Sequence, residues 1–320
     1  MFTLRQYLLA LLDSRGLTRT LGEIDVCRDE QGRPCFSAGN SAAVFRIRLG
    51  GRIRSLRCYL RPMRHLKEIY GQRLLEKELY LHTSPETGVW VDTVLGDWIE
   101  GSTLHETVAQ AAALRDRESL QILVRLFDRL ALALVTDDRA HGDLKPENII
   151  VGDDGTLCPI DFDASYLPAF AGEISPELGT AAYQHPARTA ADFDERIDDS
   201  PAALISTALH ALAENPTLWD RYGSSDGLLY TPQRIASDPA YRETLALFEK
   251  RGMAVQYRIA QLLTAPTLRL FGLAELLAEA VREKPAARSG TETETPELFV
   301  ENGRWGYRTA ERVVVAPLYD

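Results

Sequence analysis

His141-Gly142-Asp143-Leu144-Lys145-Pro146-Glu147-Asn148 runs into the apolar stretch Ile149-Ile150-Val151, the turn Asp153-Asp154-Gly155, and a second apolar run ending in Asp161-Phe162-Asp163. Two short apolar strands joined by a tight turn, with acids and an amide at their ends, read as a hairpin that carries chemistry. Asn148 and Asp161 offer the hard oxygen ligands that Mg²⁺ prefers. Asp143 lies on the loop entering the hairpin, where a carboxylate is placed to accept a proton from a hydroxyl.

Further segments flank this stretch in a fixed order. Upstream lie Ser37-Ala38-Gly39-Asn40-Ser41-Ala42-Ala43-Val44, then Ser55-Leu56-Arg57, then Asp97-Trp98-Ile99-Glu100-Gly101-Ser102-Thr103-Leu104. Downstream lies Leu178-Gly179-Thr180-Ala181-Ala182-Tyr183-Gln184-His185-Pro186. Together they resemble the protein kinase superfamily, whose signatures include a glycine loop, V-A-I-K, H-R-D-L-x-x-x-N and D-F-G. The resemblance covers residues 20–284, is strongest from Asp143 to Pro186, and looks like an atypical Ser/Thr kinase of bacterial kind.

What the resemblance implies is specific. Asp143 is the catalytic base, Lys145 helps neutralise the transferred phosphoryl group, and Asn148 and Asp161 hold the metals. Thr180 contacts the catalytic aspartate and lysine. Gly39, Ala42 and Val44 lie over the phosphates, and Ser55 and Arg57 stand in the V-A-I-K strand. Backbone groups near Asp97 and Ile99 meet the adenine edge. A helix over Arg64–His82 takes the place of the family's αC helix, with Glu76 best spaced to pair with Arg57 and Glu78 the runner-up. ATP with Mg²⁺ or Mn²⁺ is the cofactor pair, lying between two lobes. The protein substrate is unknown.

The departures are equally specific. Arg57 replaces the lysine that grips the α- and β-phosphates, and arginine is longer, planar and never neutral. Arg54 and Arg61 are the other bases within reach of that role. Only the middle glycine of the glycine loop survives, which predicts a stiffer loop. Gly142 replaces an arginine, Asp163 replaces a glycine, and Ala187 replaces a glutamate. His141 reads as a packing residue. A pseudokinase that binds nucleotide or scaffolds partners, and a phosphotransferase acting on a small molecule, are the alternatives to a protein kinase.

The rest of the chain supplies the frame. Phe2 to Asp13 has a helical apolar stripe. Strands are expected at Ile24–Cys27, Pro34–Ser37, Ala43–Arg48, Ile53–Leu60 and Val89–Leu95. Helices are expected at 104–114, 118–136, 202–212, 239–251 and within 257–284, with Asp199 capping the 202–212 helix and holding the 141–148 loop. The expected fold class is α+β: a bilobal protein-kinase-like fold with a small antiparallel β-sheet lobe, a larger helical lobe and a short C-terminal β meander. The expected parts are an N-terminal helix at 1–19, a small lobe at 20–97, a large lobe at 98–284 and a linker at 285–296. A segment at 297–320 resembles a single WG repeat, truncated where a next repeat would begin and suited to a protein partner.

Composition sets the bounds. In 320 residues, 45% are hydrophobic and the net charge is −10, which argues against non-specific nucleic-acid binding and a polybasic membrane patch. No run is long enough to span a membrane, and no secretory segment opens the chain, so a cytoplasmic location is expected. The four cysteines form no C-x-x-C pair and read as free thiols.

Overall fold

The computed structural model describes residues 1–152, 155–225 and 227–282, and the backbone of three strands at 297–301, 304–308 and 313–317. The described residues divide into two compact units, one over Met1–Ile99 and one that begins at Glu100 and takes in the described residues up to 317.

The first unit is a sheet with one helix laid on it. Helix α1 (Leu4–Leu12) starts at a capping box in which Thr3 and Gln6 satisfy each other's backbone amides. Strands β1 (Asp25–Val26), β2 (Phe36–Ala38), β3 (Ala42–Leu49) and β4 (Arg52–Tyr59) follow. After the short helix α2 (Leu66–Tyr70) come β5 (Leu74–His82) and β6 (Gly88–Asp97). The sheet order is β1-β3-β4-β6-β5, with β2 also paired to β3. All these pairings are antiparallel.

Alternation along the strands separates two faces. Phe45, Ile47, Leu56, Cys58, Leu79 and Leu81 are fully buried and form one core with Tyr7, Ala10 and Leu11 of α1. Burying each large apolar side chain there is worth about 1.5–3 kcal/mol. The Tyr7 hydroxyl donates to the Tyr59 carbonyl at 2.6 Å, which fixes α1 on the sheet. The opposite face carries Val44, Arg46, Ser55 and Arg57, because Val44 pairs with Arg57 and Arg46 with Ser55.

The helix expected over Arg64–His82 is not formed. It stops after Tyr70, where Gly71 adopts φ 52°, ψ −125°, and Leu74–His82 is a strand hydrogen-bonded to β6. The leucine spacing served both periods: Leu75 and Leu79 fit a helix, whereas Leu79 and Leu81 fit a strand. A register shift between Leu75 and Leu79, with Lys77 at φ 51°, absorbs the mismatch.

Glu78 therefore has a different task from the one its sequence position implied. Its side chain is buried and accepts from the amides of Arg19 (3.1 Å), Thr20 (2.8 Å) and Leu21 (2.8 Å) and from the Thr20 hydroxyl (2.6 Å). One carboxylate thus anchors the connection between α1 and β1 to β5.

The second unit is mostly helical. Strand β7 (Gly101–Thr103) leads directly into α3 (Leu104–Ala113), capped by Thr103 and Glu106. Helix α4 (Arg117–Thr136) buries Leu120, Leu123, Phe127 and Leu134. Strands β8 (Ile149–Gly152) and β9 (Leu157–Pro159) form the expected hairpin, and β7 pairs with β8 to complete a three-stranded sheet. Helix α5 (Asp199–Glu214) is buried along nearly its whole length and packs on α4. Asp128 of α4 is buried and bonded to Ser206 (2.6 Å) and His210 (2.8 Å) of α5. Helices α6 (Leu218–Tyr222), α7 (Pro239–Arg251), α8 (Ala254–Leu262) and α9 (Leu273–Arg282) complete the helical part.

An antiparallel meander, β10 (Glu297–Glu301), β11 (Arg304–Arg308) and β12 (Val313–Pro317), follows. The linker expected at 285–296, the Asn302-Gly303 turn and Asp153-Asp154 lie outside the described residues. Among the described residues, no helix is long and apolar enough to cross a membrane.

Glu78→Gln is expected to destabilise the chain by about 2–3 kcal/mol, the scale of lost charge-assisted bonds at a buried acceptor. Denaturant unfolding measures this, and a change under 0.5 kcal/mol (the scale of a neutral surface substitution, ~0.5) would show that the anchor carries little.

Candidate active site

The loop at 141–148 hangs from α5. Asp198, fully buried, accepts from the His141 amide at 2.5 Å and the Gly142 amide at 3.0 Å. Burial pushes its carboxyl up, and the two amide donors and Arg188 pull it back. The neighbouring Asp199, to which the sequence reading gave this task, instead accepts from the Leu270 amide at 3.1 Å. The two acids are adjacent on one helix turn, so sequence distance does not separate them.

His141 is fully buried and has both ring nitrogens engaged. Nε2 donates to the Ile160 carbonyl at 2.8 Å, and Nδ1 accepts from the Asp143 amide at 3.3 Å. This pattern fixes the neutral Nε2–H tautomer in a packing role. Gly142 has φ +80°, and a Cβ there would lie 2.0 Å from the Ala164 carbonyl oxygen. No side chain fits at this position, which explains physically why glycine occupies it.

Asp143, Lys145 and Thr180 are brought together. The Thr180 amide donates to Asp143 Oδ1 at 2.5 Å. Lys145 Nζ lies 3.1 Å from Asp143 Oδ2 and donates to Thr180 Oγ1 at 2.8 Å. Gly179, at φ +73°, brings Thr180 in close: a Cβ on it would lie 2.6 Å from the Gly142 carbonyl oxygen and 3.0 Å from Asp143 Oδ1. Asn148 Nδ2 donates to the Asp143 carbonyl (2.9 Å) and to its Oδ2 (3.1 Å). Three donors aimed at one carboxylate fix its orientation. The Asp143 side chain nevertheless keeps 16% of its surface exposed, enough for a hydroxyl to approach.

Asn148 and Asp161 leave the same end of the hairpin, because the Ile160 amide donates to the Asn148 carbonyl at 2.8 Å. Asn148 uses its side-chain nitrogen in the bonds above, which leaves Oδ1 as the atom that could ligate a metal. Asp161 sits at φ 69°, while Asp163, buried in the one-turn helix Phe162–Ala164, does not adopt the left-handed backbone that glycine would allow there. Two oxygen donors rather than a full cage suit Mg²⁺, which takes one or two protein ligands together with substrate phosphates. Among the described residues, no group of three or more His, Cys, Asp or Glu is placed to hold a metal.

In the first unit, Val44, Ser55 and Arg57 share a sheet face, and the Arg57 guanidinium lies 5.9 Å from the Tyr59 ring centroid. Glu76 is not on a helix. It lies on β5, separated from β4 by β6, and pairs with Lys67 at 3.6 Å. Gly39 and Ala42 close a tight hairpin in which the Gly39 amide donates to the Ala42 carbonyl at 2.9 Å, and Ala42 is buried. Those two residues thus sit at the turn between β2 and β3. Asp97 ends β6, its carbonyl accepts from Ser55 Oγ at 3.0 Å, and its carboxylate lies 3.4 Å from Arg54. Ile99 is half-buried just beyond it. A Cβ on Gly96 would approach Ser55 Oγ to 2.8 Å, so this position stays bare.

No protein-family model matches the chain. Over 172 residues, 51% of this chain, it is 28% identical to CBL-interacting protein kinase 17 of Oryza sativa subsp. japonica, and that stretch is 35% of the rice protein. The chain thus spans about a third of the length of this curated relative. The likeness points to a protein-kinase-like relationship. The make-up described above, an antiparallel sheet followed by a mostly helical part, is consistent with a kinase-like fold.

Burial pushes the Asp199 carboxyl up to about 6, well above its unfolded range. Between about pH 4 and pH 6 the folded chain holds a proton here that the unfolded chain has lost, so this group's contribution to stability falls as pH rises through that window, by at most about 3 kcal/mol. Asp199→Asn keeps an acceptor for the Leu270 amide and removes the titration. It is expected to lose this fall in melts run from pH 4 to pH 6; an unaltered pH slope would contradict it.

Proposed function

We propose that this chain is an atypical protein kinase, transferring the γ-phosphoryl group of ATP to a Ser or Thr hydroxyl of a protein substrate. The observation that carries this reading is the closed cluster of Asp143, Lys145, Thr180 and Asn148. A carboxylate fixed by three donors and still open at its edge is what a general base for a hydroxyl requires. Lys145 places a positive charge beside that carboxylate, where negative charge develops on the transferring group. Thr180 holds both, which fixes their spacing before substrate arrives. Asn148 and Asp161 would hold Mg²⁺ or Mn²⁺, which when bound neutralises phosphate charge. Gly39, Ala42, Val44, Ser55 and Arg57, with the backbone at Asp97 and Ile99, are the residues of the first unit assigned to the nucleotide, with the Arg57 guanidinium taking the place of a lysine.

A pseudokinase is the second reading, favoured by two observations. Glu76 pairs with Lys67 on a strand, and the turn at Gly39 is closed by its own hydrogen bond. The first leaves Arg57 without the glutamate partner expected for it, and the second adds a hydrogen bond that stiffens the turn.

Incubation of the purified chain with radiolabelled ATP and Mg²⁺ or Mn²⁺ separates the two. Label on the protein itself or on generic acceptors is expected, and Asp143→Ala should reduce it by roughly 10²–10⁴-fold, the range for a general base. Nucleotide-induced thermal stabilisation without any label would replace the kinase with the pseudokinase. Asp161→Asn is expected to weaken Mg²⁺-dependent nucleotide binding under both readings, and a variant that binds as the parent does would remove Asp161 from the metal site.

A further inference from the structure

A glycine directly before a base is a source of looseness, because it restricts its own backbone least of any residue. Gly142 occupies that place, and its freedom has to be removed from outside. Its amide is held by Asp198. Its carbonyl accepts from Arg188 Nη1 at 3.1 Å, with Gln184 Nε2 at 3.5 Å on the same oxygen. The same Arg188 nitrogen also donates to Gln184 Oε1. Gln184 sits in the turn after Thr180, where the Tyr183 amide donates to the Thr180 carbonyl at 2.9 Å and the Gln184 amide to the Ala181 carbonyl at 3.3 Å. The Thr180 amide in turn donates to Asp143. The contacts therefore close a ring that runs Asp143, Thr180, Gln184, Arg188, Gly142 and back to Asp143.

Arg188 is an expensive residue to place there. It is only 9% exposed, and neither Nε nor Nη2 has a protein partner among the described residues. Burial works against its charge, and Asp198, Asp143, Asp192 and Asp194 work for it. A side chain that merely filled space would be apolar, since a buried guanidinium with open donors weakens the fold. Only its Nη1 end is satisfied, and that end is on the peptide preceding Asp143.

We propose that Arg188 is a positioning residue for Asp143, clamping the Gly142 carbonyl while Asp198 clamps the Gly142 amide, so that the base is held against the Thr180 segment. This rests on the phosphoryl-transfer reading of Asp143. Its effect should fall on the chemical step and not on nucleotide binding, because Arg188 acts on the peptide that carries the base.

The test is steady-state transfer from ATP by the full chain, with Arg188→Met, Arg188→Lys and Gln184→Leu, each also combined with Asp143→Ala. Arg188→Met should lower kcat roughly 10- to 100-fold, the effect of a small displacement of a catalytic group, with KM for ATP within about twofold. Arg188→Lys should recover part of the loss. Asp143→Ala/Arg188→Met should be no slower than Asp143→Ala alone. A wild-type kcat in Arg188→Met, or the same fractional loss in the Asp143→Ala background, overturns the proposal. Should Arg188→Met fail to fold, Gln184→Leu gives the same comparison with the guanidinium still in place. Amide hydrogen exchange supplies a readout that does not need activity: the amides of 142–144 and 180–184 should exchange faster in Arg188→Met while those of α4 keep their protection. If the parent chain transfers no label, the kinase reading fails, and exchange alone decides the clamp: unchanged protection at 142–144 overturns it.

Discussion

The Asp198 carboxylate accepts two amides, those of His141 and Gly142, with no solvent around it. The 141–148 loop of the second unit is placed through that grip. The loop it holds carries Asp143 and Lys145, the hairpin that follows carries Asn148 and Asp161, and the Thr180 segment docks on Asp143. Asp198 precedes α5, which is buried along nearly its whole length. The 141–148 loop is therefore hung from a helix buried along nearly its whole length, and its position inherits the rigidity of that core. An unpaired carboxylate at such a depth would be strongly unfavourable, so the loop needs Asp198 and Asp198 needs the loop.

The two units differ in how completely they carry the machinery that the sequence resemblance implies. In the second unit Asp143, Lys145, Thr180 and Asn148 meet at hydrogen-bond distances. In the first, the sheet presents Val44, Ser55 and Arg57 on one face, but a strand stands where a helix was expected, and its glutamates serve other ends. Glu76 pairs at the surface with Lys67, and Glu78 is a buried anchor for the α1–β1 connection. Helix α1 covers the other face of the sheet and joins its core. A sheet gains stability by packing its apolar face, and α1 supplies that packing here.

Glycine positions show how local chemistry and packing meet. Gly142 and Gly179 both have positive φ, and at both a Cβ would collide with backbone or with Asp143. The collision at Gly142 is with the Ala164 carbonyl, from the one-turn helix that follows Asp161. The departure from an arginine at this position is thus forced by how closely the two segments pass. The burden of fixing the loop moves to Asp198 on one side of the peptide and Arg188 on the other.

Local pattern was enough to recognise the 141–161 hairpin and most helices, because each of these is written in contiguous residues whose spacing matches one period or one turn; Thr180 was singled out by the family resemblance alone. The strands of the first sheet were legible for the same reason. Three features were not. The leucines of Leu74–Leu81 satisfy helix and strand spacing alike, and pairing with β6, a long-range partner, chose the strand. Asp198 and Asp199 are indistinguishable by spacing, and only the approach of the loop decided which one is bonded to it. Arg188 carries no local signal at all, since its partner lies 46 residues away on a carbonyl that any residue would possess. Chemistry that resides in side-chain types and short spacings can be read along the chain; the grip of one segment on another's backbone exists only once the chain has packed.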